Sequence, residues 1–155
     1  MYRACADRLI DLCDRDSHQI AESWYRALCS NSRTPSYRLM SREGCLQRAV
    51  VILKSLGEIY FAKNCDKAVV EFLDAHDFVE VHFARGIPLC EILYALVLLR
   101  RHLWLHAESE MLFYSSEDMV HALDSINRVL LVYDYAAYHV ARKYAEMASR
   151  TRVLV

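Results

Sequence analysis

The sequence predicts an all-α fold, a bundle of about five long helices making a single domain over residues 1–155. Three observations carry this. Turn formers are scarce, with 3 Gly and 2 Pro, too few for the tight corners of a many-stranded protein. Apolar residues make up 55% of the chain, enough to bury a core without staples. Apolar side chains also recur at spacings of three and four, the period of a helix face, along most of the length.

The first predicted helix runs from about Arg3 to Leu28, because Ala6, Ile10, Cys13, Ser17, Ile20, Trp24 and Ala27 form one stripe. Turn formers around Pro35, from Ser30 to Tyr37, make the first loop. Ser41 suits the cap of a second helix with two adjacent stripes, Leu46, Val50, Leu53, Gly57 and Tyr60 beside Cys45, Ala49, Ile52, Leu56 and Ile59. Gly57 costs about 1 kcal/mol of helix propensity, which a close crossing by a neighbouring helix would explain. A short connection follows over Phe61 to Cys65.

Asp66 is the expected cap of a third helix carrying Val69, Phe72, His76, Val79 and Phe83 on one face and stopping at Gly86. Pro88 opens a fourth helix with Leu89, Ile92, Leu96, Leu99, Leu103 and His106 in register. This helix is apolar on its other sides too, so it is either surrounded by helices or shared with a second subunit, the interior position being the simpler. A linker ends near Tyr114. A Ser115 to Asp118 capping box then starts a fifth helix that reaches about Ser149, roughly 50 Å long at 1.5 Å per residue. Its unbroken 4-3 repeat, Met119, Leu123, Ile126, Leu130, Tyr133, Ala137, Val140, Tyr144 and Met147, has the period of a coiled-coil seam.

Composition narrows the function classes. With 19 basic against 20 acidic side chains there is no broad basic surface for nucleic acid. No uncharged stretch approaches the roughly 18 to 20 residues of a membrane span, and the first residues lack an apolar run of signal-peptide length, so a cytoplasmic location is expected. The six cysteines form no C-x-x-C pair and read as reduced, helix-packing thiols.

Few residues suggest chemistry. His102 and His106, four apart, place two imidazoles on one helix side as candidate metal ligands, against the plainer reading of surface or interface histidines. His76, on the stripe with Phe72, Val79 and Phe83, is the candidate haem ligand or else a hydrogen-bonded core histidine. His121-Ala122-Leu123-Asp124-Ser125 faintly resembles a phosphotransfer H-x-L-K-G pattern, but Asp124 stands for the lysine and Ser125 for the glycine. Cys65 and Cys90 fall near helix starts, where the dipole favours thiolate. Glu71, Asp74, Asp77 and Glu80 read as the solvated face of the third helix. No nucleophile is paired with a base, so the chain is not expected to be an enzyme, and no cofactor is required.

The segment Phe83-Ala84-Arg85-Gly86-Ile87-Pro88-Leu89-Cys90-Glu91, followed by Leu98-Leu99-Arg100-Arg101-His102-Leu103-Trp104, resembles the N-terminal domain of RsbRD-type RsbT co-antagonist proteins. Trp24 and Thr34-Pro35-Ser36-Tyr37 fit the same layout. These motifs are helix punctuation and transfer no functional residue. The resemblance implies a helical, globin-like sensory module without a required haem, of the kind that precedes output domains in stressosome proteins, histidine kinases or transcription regulators. The expectation is a bacterial signal-input domain, homodimeric, acting through protein contacts with a signalling protein or output domain, or through an unidentified small ligand. Its signalling or dimer helix would present Met119, Leu123, Ile126, Leu130, Tyr133 and Val140. The alternative is a haem or metal sensor using His76 or the pair His102 and His106.

Overall fold

A computed structural model of the chain describes residues 2–110 and 115–153, with side chains described from Cys5 onward; the predicted linker ending near Tyr114 lies outside them. The described residues form seven α-helices and one 3₁₀ turn, with no strand. They are α1 (Tyr2–Arg15), α2 (Ser17–Ser30), the turn Pro35–Leu39, α3 (Arg42–Tyr60), α4 (Cys65–Ala75), α5 (Phe78–Ala84), α6 (Leu89–Ser109) and α7 (Ser116–Val153). None of these helices is long and apolar enough to cross a membrane.

Seven helices stand where five were expected, because the first and third predicted helices each break once. The first breaks at Asp16, whose φ of −105° and ψ of 17° leave the helical region, although backbone bonds from Asp16 to Leu12 (2.9 Å) and from Ile20 to Asp16 (3.0 Å) carry the chain across. The third breaks at Asp77, the one non-glycine residue with positive φ among those described, at 47°. Aspartate tolerates the left-handed region better than most residues, so this break needs no glycine to mark it.

Other punctuation follows the sequence more closely. Ser41 Oγ accepts from the Gly44 amide at 3.2 Å, capping α3, and Ser115 Oγ accepts from the Asp118 amide at 3.0 Å, capping α7. The α4 cap is Asn64 rather than Asp66, its side chain accepting from the Lys67 amide at 3.0 Å. Gly86, at φ 69°, closes α5 with bonds from its own amide to Phe83 and from Ile87 to His82, a Schellman stop.

The core is continuous. α2 packs on α3 and α6, α1 lies against α3 and α7, and α7 runs past α1, α3, α4, α5 and α6. Gly57 marks the α1–α3 crossing: a Cβ there would sit 2.6 Å from Ile10 Cγ2, so the close approach expected from the sequence is present. α6 buries Ile92, Leu99 and Leu103 wholly but leaves Val97 and Leu105 exposed, so it is not surrounded on all sides. The buried Trp24 indole donates to the Ala95 carbonyl at 2.9 Å and locks α2 onto it.

Candidate functional site

Two constellations of polar side chains distinguish the two sides of the bundle. On the α1–α2–α6 side the Asp16 and Glu91 carboxylates are fully engaged, while Arg8 Nε and Trp104 Nε1 are buried without a hydrogen-bond partner. Arg15 grips both Asp16 oxygens at 2.9 Å, and His106 Nε2 lies 2.8 Å from Asp16 Oδ2. Arg15 and then His106 hold the Asp16 carboxyl well below the usual carboxylate range. Asp16, His106 and Glu110 are, among the described residues, the one group of three possible metal ligands, with ligand atoms within 4.8 Å of one another. Both Asp16 oxygens are already bonded within the chain, and the arrangement pins the α1–α2 break to the end of α6. The structure therefore brings His106 to Asp16 and Glu110, and His102 takes no part in the group.

The same side holds the first loop. Buried Glu91 accepts from the Ser36 amide and the Ser36 hydroxyl, both at 2.9 Å, fastening the 3₁₀ turn to the first turn of α6. Thr34 Oγ1 donates to the Leu28 carbonyl at 2.8 Å, and Tyr37 packs edge-on against Trp24 with centroids 6.4 Å apart. The Thr34–Tyr37 segment and the segment ending at Glu91, far apart in sequence, thus meet in one contact.

The α3–α4–α5 side is looser. Three voids of about 20, 40 and 220 Å³ share Ile52 and Phe78 in their linings: the smallest reaches α2 and α6 at Trp24, Ile92 and Leu99, the second reaches α7 at Val132, and the largest lies among α3, α4 and α5. The largest is a cleft whose polar groups are Gln47, Arg48 and His76, over apolar Val51, Phe72 and Val81. Gln47 and His76 are exposed, so the cleft opens to solvent. Arg48 is only part-exposed, and its Nη1 is buried with no hydrogen-bond partner. Burial, and then the like charge of Arg85, hold its guanidinium below the usual arginine range. Beside it His82, 3% exposed, shares its Nδ1 with the Phe78 carbonyl at 2.6 Å. Desolvation lowers this imidazole from 6.5 to about 4, so it is neutral at pH 7 and donates through Nδ1.

The core position expected for His76 is not where the structure places it. His76 does not sit in a pocket among Phe72, Val79 and Phe83, because the break at Asp77 turns α5 relative to α4. It is the exposed C-cap of α4, its ring 4.5 Å from that of Phe72, and the buried histidine is His82. Arg48 stands three after Cys45 and four before Ile52, inside an apolar seam, and no sequence motif marks it. That spacing was the available signal.

The remaining candidates scatter. Cys65 is buried, with Arg128 3.1 Å from its sulfur, Cys90 is exposed, and all six thiols are free. His121 faces Glu117 at 4.0 Å. Asp74 and Glu80 are not merely solvated, since both pair with Lys143 of α7, and Asp66 lies 2.5 Å from His139 Nε2 on the same helix.

Along α7 the predicted seam divides. Tyr133 and Val140 are buried in the domain's own core, Ile126 and Leu130 are part-buried, and Met119 and Leu123 are exposed. In the first half of the helix the buried face is one residue earlier, at Ala122, Ser125 and Val129. These smaller side chains face the bundle, and the larger apolar ones point outward. No family model, curated protein or solved structure matches the chain.

Proposed function

We propose that this chain is a bacterial signal-input domain that works as a homodimer, with α7 as the element that passes a change in the α3–α4–α5 region to a partner. What carries the reading is the double face of α7. Its inner face is tied to the region around the cleft by Lys143 to Asp74 and Glu80, by His139 to Asp66, by Tyr144 to the Ile87 carbonyl at 2.9 Å and by Arg128 to the Tyr60 carbonyl at 2.6 Å. Its outer face leaves Met119 64%, Val120 64% and Leu123 58% exposed within five residues of one another. Clustered large apolar side chains of this kind mark interaction surfaces. A helix of about 57 Å at 1.5 Å per residue is stiff enough to transmit a small rotation.

The resemblance to RsbRD-type sensory domains supports the same reading and adds a globin-like arrangement without resident haem. A cytoplasmic setting belongs to this proposal and agrees with six free thiols. Sedimentation equilibrium of the wild type and of Met119→Glu/Leu123→Glu tests it. The wild type is expected to be a dimer at micromolar concentration and the variant a monomer of unchanged helicity. A wild type that stays monomeric at high concentration would defeat the proposal.

A further inference from the structure

Arg48, on the cleft, buries its Nη1 without a hydrogen-bond partner. A half-buried guanidinium normally meets a carboxylate, because an uncompensated charge held away from water is costly. No ion pair forms at Arg48 among the described residues, and Arg85 adds a like charge that opposes its own. The surrounding surface offers no substitute, since Gln47 and His76 are the remaining polar groups of the cleft and Val51, Ile52, Phe72, Phe78 and Val81 line the rest. The N-terminal turn of α3 borders it at Gly44, adding a positive helix end on the same side.

From this arrangement the geometry points to a ligand: the cleft between α3, α4 and α5 binds a small organic carboxylate with an apolar body, its head on Arg48 and its body against Phe72, Phe78 and Val81. A guanidinium fork matches a carboxylate in two parallel hydrogen bonds. The lining argues against a bare phosphate, which needs donors on several sides where this cleft supplies side chains of valine, isoleucine and phenylalanine. At about 220 Å³ it has room for a single aromatic or branched aliphatic acid. The inference names the signal class for the input domain proposed above. It is tested by binding alone, so it can fail while the α7 dimer stands, and the reverse.

The probes are benzoate, 3-methylbutanoate and inorganic phosphate, titrated into the full chain while backbone amide resonances are followed by NMR. Saturable shifts centred on Gly44, Arg48 and Val81 are expected with benzoate, with a Kd below about 1 mM. Arg48→Leu should weaken benzoate at least about tenfold while remaining folded. Val81→Trp, which fills the cleft without touching the arginine, should abolish the same shifts. Phosphate binding as tightly as benzoate would overturn the assignment. So would equal benzoate affinity in Arg48→Leu, or the absence of any localised shift in the wild type. If Arg48→Leu does not fold, the Val81→Trp result decides by itself.

Discussion

The two sides of this bundle handle their buried charged groups differently. On the α1–α2–α6 side, Asp16 is held by Arg15 and His106, Glu91 by two bonds from Ser36, and Trp24 by the Ala95 carbonyl. On the α3–α4–α5 side, Arg48 Nη1 has no partner, His82 is kept neutral by burial, Asp77 sits at positive φ, and a cleft of about 220 Å³ opens to solvent. The first side contains the features that fix a fold. The second keeps features that cost stability, and such costs concentrate where a protein binds or moves. The difference teaches that two sides sharing one core can be built to different standards.

Breaking the well-paired side should have the largest effect. Glu91→Ala removes the buried acceptor for both Ser36 bonds, and a loss of about 3 kcal/mol is expected in urea unfolding. A loss below about 0.5 kcal/mol would mean that the first loop is not fastened there.

Acid acts on the other side. His82 titrates near 4 in the folded chain against 6.5 in the unfolded one, so the unfolded state takes up the proton first as pH falls. The stability this neutral histidine permits is complete above about pH 6.5 and declines between 6.5 and about 4, by at most about 3 kcal/mol. Urea midpoints measured from pH 7.5 to 4.5 should follow that slope in the wild type and lie flatter in His82→Leu. Parallel profiles for the two proteins would remove His82 as the cause.

The smallest effect sharpens the comparison by improving the looser side. Asp77 makes no side-chain capping bond, so Asp77→Gly relieves the left-handed backbone and loses nothing there. A gain of about 0.5 kcal/mol is expected, read as a rise in Tm. A fall in Tm would show that Asp77 contributes something other than a turn.

The scaffold was largely legible in the sequence because its signals are local. Ser41, Ser115, Gly86 and Pro88 mark helix ends by their own chemistry, and Gly57 announced the α1–α3 crossing. The cleft was not legible in the same way. Its histidine was assigned to position 76 by continuing a 3.6-residue period through Asp77, where one positive φ resets the face. Over the first half of α7 the face turned to the bundle, Ala122, Ser125 and Val129, lies one residue before the larger apolar repeat, because small side chains let the helix approach its neighbours. Arg48 could be recognised only by asking why a charge interrupts an apolar seam. Its lack of a partner is a three-dimensional fact.

Native-state hydrogen exchange tests the contrast between the two sides most directly. The account predicts that amides of α4 and α5 open with clearly lower free energy than those of α2 and α6, and that benzoate raises protection in α4 and α5 first. Uniform protection across all four helices, unchanged by benzoate, would contradict it.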